Sequence, residues 1–204
     1  MALLEGIFGP SKKEIWQQMA KDIGGEYIDG GFWKSGVLRY QHDNWEMLLD
    51  TFTRSHGKSS STYTRLRVPF LNKDGLYFKI YREGFFSGVG KFFGMQDLQI
   101  KDQRFNEHFI IKGNSQEKIE QLLNDYQIKM LFDMVPKVSV EIKQDSGLFK
   151  KKHPEGIDVL YFEQLGTMRK KEELSLLFRL FTTLLDRLVQ IDSAYEDDPG
   201  LRLE

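Results

Sequence analysis

Four histidines are the first side chains to weigh for chemistry in this 204-residue chain: His42, His56, His108 and His153. An imidazole ionises near neutral pH and offers a nitrogen to metals, so it serves acid–base catalysis and metal sites alike. These four stand far apart, with no ligand pair at the short spacing of a metal motif. Glu107 adjoins His108, but adjacent side chains on a strand point to opposite faces. The structural reading is of single turn or surface histidines. The functional reading is an enzyme whose site forms only in the fold, with His42, His56 and His108 the first residues to mutate. Cysteine is absent, which excludes thiol catalysis, disulfides, and thiolate zinc or iron–sulfur sites.

The glycine motifs carry less. Gly57-Lys58-Ser59 matches the end of a phosphate-binding loop, but Phe52 stands where the first glycine belongs. The segment also leads into a strand rather than a helix N-terminus. Gly88-Val89-Gly90-Lys91-Phe92-Phe93-Gly94 is one residue longer than the dinucleotide fingerprint, and no crossover helix follows it. The chain has no Gly-x-Ser-x-Gly elbow. No catalytic constellation, cofactor or metal is implied, and the reading leans away from an enzyme.

Pro10-Ser11-Lys12-Lys13-Glu14 predicts a helix start in which Ser11 caps and Glu14 reaches back. Ile15, Trp16, Met19 and Ile23 share one face, and Gly24-Gly25 stop the helix. Period-2 alternation then predicts strands within 26–33 and 37–42. Longer ones follow at 45–54 and 62–68 around a polar loop at 55–61, and another at 76–81 after the Asn72-Lys73-Asp74-Gly75 turn. This pattern describes an antiparallel meander with one buried face.

The second half reads as α-β-β-α. A short strand near 109–111 precedes a helix capped by Asn114, with the stripe Ile119, Leu122, Leu123, Tyr126 and Met130. Asn124-Asp125 splits that helix. Strands at 137–143 and 158–165 precede a last helix carrying Leu174, Leu177, Phe181, Leu184, Leu188 and Ile191. Leu176 and Leu180 widen its stripe beyond a coiled-coil seam, which suits packing on a sheet. The fold class is therefore α+β: an antiparallel meander sheet with an N-terminal helix, then an α-β-β-α unit packed on sheet. One domain over 1–204 is expected, and any sub-boundary falls near 84–101.

Two surfaces could bind something. If the loop at 55–61 closes a hairpin, Asp50 lies near Arg67 and Phe52 near Arg65. Tyr63, Tyr77, Lys79 and Tyr81 share their parity, so this face mixes cations with rings. Such a face could hold an anionic ligand or stack nucleic-acid bases. The structural account is a solvated face on which ion pairs and Arg–Tyr stacking add a few tenths of a kcal/mol each. The other surface is the aromatic–glycine run with Phe85, Phe86, Phe92 and Phe93, which either closes the core or offers an apolar patch to a protein partner or a second copy.

The stretch Gln96-Asp97-Leu98-Gln99-Ile100, then Phe105-Asn106-Glu107-His108-Phe109-Ile110-Ile111-Lys112-Gly113-Asn114, resembles a signature of bacterial proteins that have no assigned activity. There a Gln-Asp-hydrophobic run leads to F-D-x-x-F, two hydrophobic residues, a basic residue, Gly and Asn or Asp. Asn106 stands where that pattern has aspartate. The resemblance implies a bacterial origin. Physically, Phe105 and Phe109 fall on one face of a helical turn, and Gly113-Asn114 turns strand into helix.

Composition bounds the rest. With 29 basic and 30 acidic residues the net charge is -1, so bulk charge gives no support to nucleic-acid binding. Residues 1–100 hold 13 basic and 11 acidic groups (+2), and 101–204 hold the remaining 16 and 19 (-3), so no sharp split in charge divides the halves. The N-terminus lacks a basic region and Glu5 interrupts its apolar run, a poor signal peptide. The most apolar segment, within 174–191, contains Arg179, Asp186 and Arg187 and cannot span a bilayer. A cytoplasmic protein is expected. Its leading reading is a non-enzymatic interaction or scaffold protein that binds a protein partner or itself through the aromatic–glycine run or the last helix; the alternative is a module for an anionic ligand or nucleic acid on the Arg/Tyr face.

Overall fold

The computed structural model describes residues 9–31, 35–84, 95–143 and 156–203. The run holding Phe85, Phe86, Phe92 and Phe93 lies outside the described residues, as does His153.

Helix α1 (Lys12–Ile23) begins with the capping box anticipated from sequence: Ser11 Oγ accepts from the Glu14 amide, and the Glu14 carboxylate accepts from the Ser11 amide. Gly24 ends the helix with φ 72°, a left-handed conformation that glycine enters without a Cβ penalty. Buried Trp16 donates its indole N–H to the Met168 carbonyl at 3.0 Å, tying the first helix to the far end of the chain.

Strands β1 (Glu26–Ile28), β2 (Val37–His42), β3 (Trp45–His56) and β4 (Ser59–Leu71) form the expected meander. It does not run on into β5 (Phe78–Arg82). The nine-stranded antiparallel sheet also contains β6 (Gln96–Leu98), β7 (Phe109–Gly113), β8 (Ser139–Lys143) and β9 (Ile157–Leu165), in the order β1-β2-β3-β4-β9-β8-β5-β7-β6. Alternation says that a strand has one buried face; it does not say which strand is its neighbour. Here β9 takes the place beside β4 through eight residue pairs, from Thr64↔Gln164 to Leu71↔Ile157.

The polar stretch at 55–61 is not a loop. Ser55 pairs with Ser60 and His56 with Ser59, leaving Gly57-Lys58 as a two-residue turn with Gly57 at φ 63°. Tight hairpin turns require such positive φ values. The shorter turn moves the register by two residues from that expected, so Asp50 faces Arg65 and Phe52 faces Tyr63.

On one side of the sheet, Met47, Leu66, Phe70 and Phe162 join a core completed by α5 (Lys171–Gln190), which buries Leu174, Leu177, Phe181, Leu184 and Leu188. Each such side chain contributes about 1.5–3 kcal/mol of burial, making α5 a principal stabiliser. In α2 (Gln103–His108), Phe105 stacks on Phe109 with ring centroids 4.4 Å apart, as their spacing implied.

Helix α3 (Gln116–Leu123) is capped by Ser115, whose Oγ accepts from the Lys118 amide, rather than by Asn114. Asn114 is otherwise engaged: its side chain accepts from the Tyr77 amide and donates to the Gly75 carbonyl, both at 2.8 Å. The chain breaks at Asn124-Asp125, and Asp125 caps α4 (Tyr126–Met134). That break resets the helical phase. Ile128, Leu131 and Phe132 now face the core, whereas Tyr126, expected in the buried stripe, is exposed and Met130 only half-buried.

Candidate functional site

The sheet face opposite the helix-side core is a polar and aromatic layer. Leu48, Tyr81, Val159 and Tyr161 are buried there, apart from that core. Between them lie the buried charges Asp50, Arg65, Arg67, Lys79 and Glu141. Register aligns these side chains into rows. Arg67 pairs with Tyr161, Tyr161 with Glu141, Glu141 with Lys79, Lys79 with Lys112 and Lys112 with Asp97, a single row across six strands. A second row runs Asp50, Arg65, Glu163.

Three carboxylates organise the cations. Asp50 accepts two bonds from Arg65, at 2.6 and 2.8 Å, and one from Arg67 at 2.9 Å. Glu141 lies 3.0 Å from Lys143 and 3.5 Å from Lys79. Glu163 accepts from Arg54 at 3.2 Å and from the Tyr161 hydroxyl at 2.6 Å. Among the described residues, Arg54, Arg65, Arg67, Lys79 and Lys143 are the cations that Asp50, Glu141 and Glu163 hold on this face.

Rings carry the rest of the contact. Phe52 and Tyr63 stack at 5.4 Å. The Arg65 guanidinium covers Phe52 at 4.7 Å and that of Arg54 covers Tyr63 at 4.8 Å. The Lys143 ammonium sits 3.3 Å from the centroid of Tyr161 and that of Lys79 lies 5.8 Å from Tyr81. Both contacts anticipated from sequence, Asp50 with Arg67 and Phe52 with Arg65, exist as diagonals of the corrected register.

These groups perturb one another's ionisation. Burial pushes the Tyr161 hydroxyl up, and the neighbouring Glu163 charge pushes it the same way. For Glu163, burial raises the carboxyl, but the Tyr161 hydrogen bond and the charges of Lys143 and Arg54 outweigh it and hold the group below its ordinary value. Burial lowers Lys143 despite the attraction of Glu141. Arg67 is likewise lowered by burial, against the pull of Asp50.

Of the face residues proposed from sequence, Arg65, Arg67, Tyr63, Lys79 and Tyr81 share this surface, although β9 and β8 separate the last two from the hairpin. Tyr77 does not join them. It precedes β5, packs against the helix-side core and donates its hydroxyl to Asp158 at 3.1 Å. Glu141, Lys143, Tyr161 and Glu163 were missed as members. Their signal was present as charged or phenolic residues alternating with Val140, Ile142, Leu160 and Phe162; the strand order that brings them beside Arg65 and Arg67 was not.

His42 and His108 sit apart from this face. His42 Nε2 lies 2.8 Å from Asp186 Oδ1 on α5. His108 Nδ1 is 3.7 Å from Asp133 Oδ1, and His56 ends β3 through its backbone pairing with Ser59. A separate open groove of about 470 Å³ is lined by Ile100, Lys101, Asp102, Glu120, Gln121, Leu123, Asn124 and Lys129, with Lys129 and Asp102 bridged at 2.6 Å.

No family model matches this chain, and no curated protein matches it. Its structure is similar to the crystal structure of the mycobacterial trehalose monomycolate transport factor A, TtfA, with a TM-score of 0.53 and 9% sequence identity over 90% of this chain and 97% of that one. A likeness at this identity is one of fold. Among the described residues no helix is long and apolar enough to cross a membrane.

Proposed function

We propose that this chain is a non-enzymatic accessory protein of the cytoplasm, acting by binding a protein partner through the outer side of α4. The observation that carries the reading is the stripe Tyr126, Met130 and Met134. These residues fall at i, i+4 and i+8 on one side of the helix, with Tyr126 76% and Met134 49% exposed. Exposed tyrosine and methionine are the residue types enriched where proteins associate. The fold likeness to a protein described as a transport factor is consistent with an accessory role and carries no partner across. The aromatic run with Phe85, Phe86, Phe92 and Phe93 is the proposed second anchor.

The test compares wild type, Tyr126→Glu/Met134→Glu and Phe92→Asp/Phe93→Asp by light scattering after size exclusion, and by crosslinking in cells of the source bacterium. Loss of an oligomer or of a discrete crosslinked species in either variant supports the proposal. Identical behaviour of all three removes it.

A second reading keeps the Arg/Tyr face as a site for an anionic ligand or nucleic acid, favoured by the cations and aromatic rings that share one side of the sheet. The engagement of both Arg65 and Arg67 by Asp50 weighs against it. A mobility-shift titration at low salt decides: no shift at micromolar protein ends the nucleic-acid form, and no displacement of a fluorescent polyanion ends the other.

A further inference from the structure

We propose that His42, Asp43 and Asp186 bind a divalent first-row transition metal ion, Zn²⁺ or Ni²⁺, at the junction of sheet and last helix. The three donors come from three supports: the end of β2, the tight turn between β2 and β3, and α5. One imidazole nitrogen and two carboxylate oxygens, one from each side chain, all lie within 4.8 Å of one another. His42 Nε2 is the nearest to both carboxylates, 2.8 Å from Asp186 Oδ1 and 3.8 Å from Asp43 Oδ2.

These spacings suit a metal. With metal–ligand bonds of about 2.0–2.2 Å, neighbouring ligand atoms sit roughly 3–3.5 Å apart. The Asp186 oxygen must retreat slightly and that of Asp43 must swing inward, both within the reach of carboxylate rotation. Imidazole beside carboxylate favours zinc or nickel over the hard cations magnesium and calcium. Three protein donors leave further positions to water.

The surroundings favour a cation. Trp45, the cross-strand partner of His42, is buried and stacks on its ring at 6.0 Å, which restrains the imidazole plane. Asn44 in the turn donates to the Glu196 carbonyl at 2.9 Å, which holds the turn against the C-terminal segment. Arg187, next to Asp186, is turned away and donates to the Gln121 carbonyl at 2.8 and 3.2 Å. The competing account is a simple helix-to-sheet pin made by His42 and Asp186. The left-handed turn at Asp43, φ 47°, accounts for an aspartate there, but a pin does not require its carboxylate, 74% exposed, to reach toward the same nitrogen.

The experiment titrates the untagged, chelator-stripped protein with NiCl₂ and ZnCl₂. Nickel bound at His42 lies close enough to Trp45 to quench its fluorescence, and zinc reverses the quenching by competition. One equivalent binding in the micromolar range is expected, lost in His42→Ala and weakened at least about tenfold in Asp43→Ala, on the scale of losing a metal contact. Asp43→Ala leaves the His42–Asp186 hydrogen bond intact, so it decides the matter even if His42→Ala does not fold. Absence of saturable binding up to millimolar metal, or binding that Asp43→Ala leaves unchanged, overturns the proposal.

Discussion

Asp50 on β3 and Arg65 on β4 stand directly opposite in the sheet and are joined by two parallel N–H···O bonds of 2.6 and 2.8 Å, both side chains buried. Arg67, two residues further along the strand, places a third bond of 2.9 Å on the same carboxylate. A carboxylate gripped this way is worth less as a pair than it costs to break, because its removal takes a shared counter-charge from two buried guanidiniums. Asp50→Ala is expected to destabilise the fold by about 3–5 kcal/mol, the range for unpairing a buried charge. Urea denaturation measures it. A loss below about 1 kcal/mol, the worth of an exposed pair, would mean that this carboxylate does not neutralise the arginines.

The acid dependence of stability should pass through Glu163. Its folded-state carboxyl is held below the ordinary value by the Tyr161 hydroxyl and nearby cations, in spite of burial. The unfolded chain therefore takes up this proton first as pH falls. The stabilisation is fully present above the unfolded pKa and is lost as pH drops through the folded one. Relative to Glu163→Gln, wild type should hold its advantage at pH 7 and surrender it as pH falls below the ordinary carboxylate range. Unfolding midpoints of both proteins across that range test it, and a constant difference would contradict the assignment.

The start of α4 depends on one side chain. Asp125 Oδ1 accepts from the Gln127 amide at 2.7 Å and from the Ile128 amide at 3.3 Å. Asp125→Ala should cost about 1 kcal/mol, typical of a lost N-cap. Amide exchange at Gln127 and Ile128 should quicken while β3 and β4 stay protected.

We propose that the chain unfolds as one unit despite the candidate boundary near 84–101. Phe132 on α4 is fully buried and meets Phe105 and Phe109 edge-on. Phe132→Ala should cost about 3–5 kcal/mol. In a single unit, that loss moves tryptophan fluorescence, sensitive to Trp16 and Trp45 in the first half, by the same amount as far-ultraviolet circular dichroism. Two separated transitions would divide the chain.

Much of this architecture is legible in local spacing. The Ser11–Glu14 box, the Gly24 stop, the alternation of β3 and β4, and the i, i+3, i+4 stripe of α5 all rest on interactions within a few residues. Errors arose where two local signals competed. Ser115 displaced Asn114 as a cap because Asn114 had partners 37 and 39 residues away in Tyr77 and Gly75. Serines at 59–61 read as loop although their backbones pair as strand.

The candidate sites divide along the same line. Sequence by itself determined that Arg65 and Arg67 share a sheet face, since parity along a strand is a property of the pleat. It also determined that the chain has no thiol chemistry, since it has no cysteine. Only tertiary structure decided that Tyr161, Glu141 and Lys79 complete a row with Arg67, and that Asp186 meets His42 across 144 residues. Strand order and helix docking are chosen by the summed burial of whole faces. That sum is a property of the assembled chain, and no window of neighbouring residues contains it.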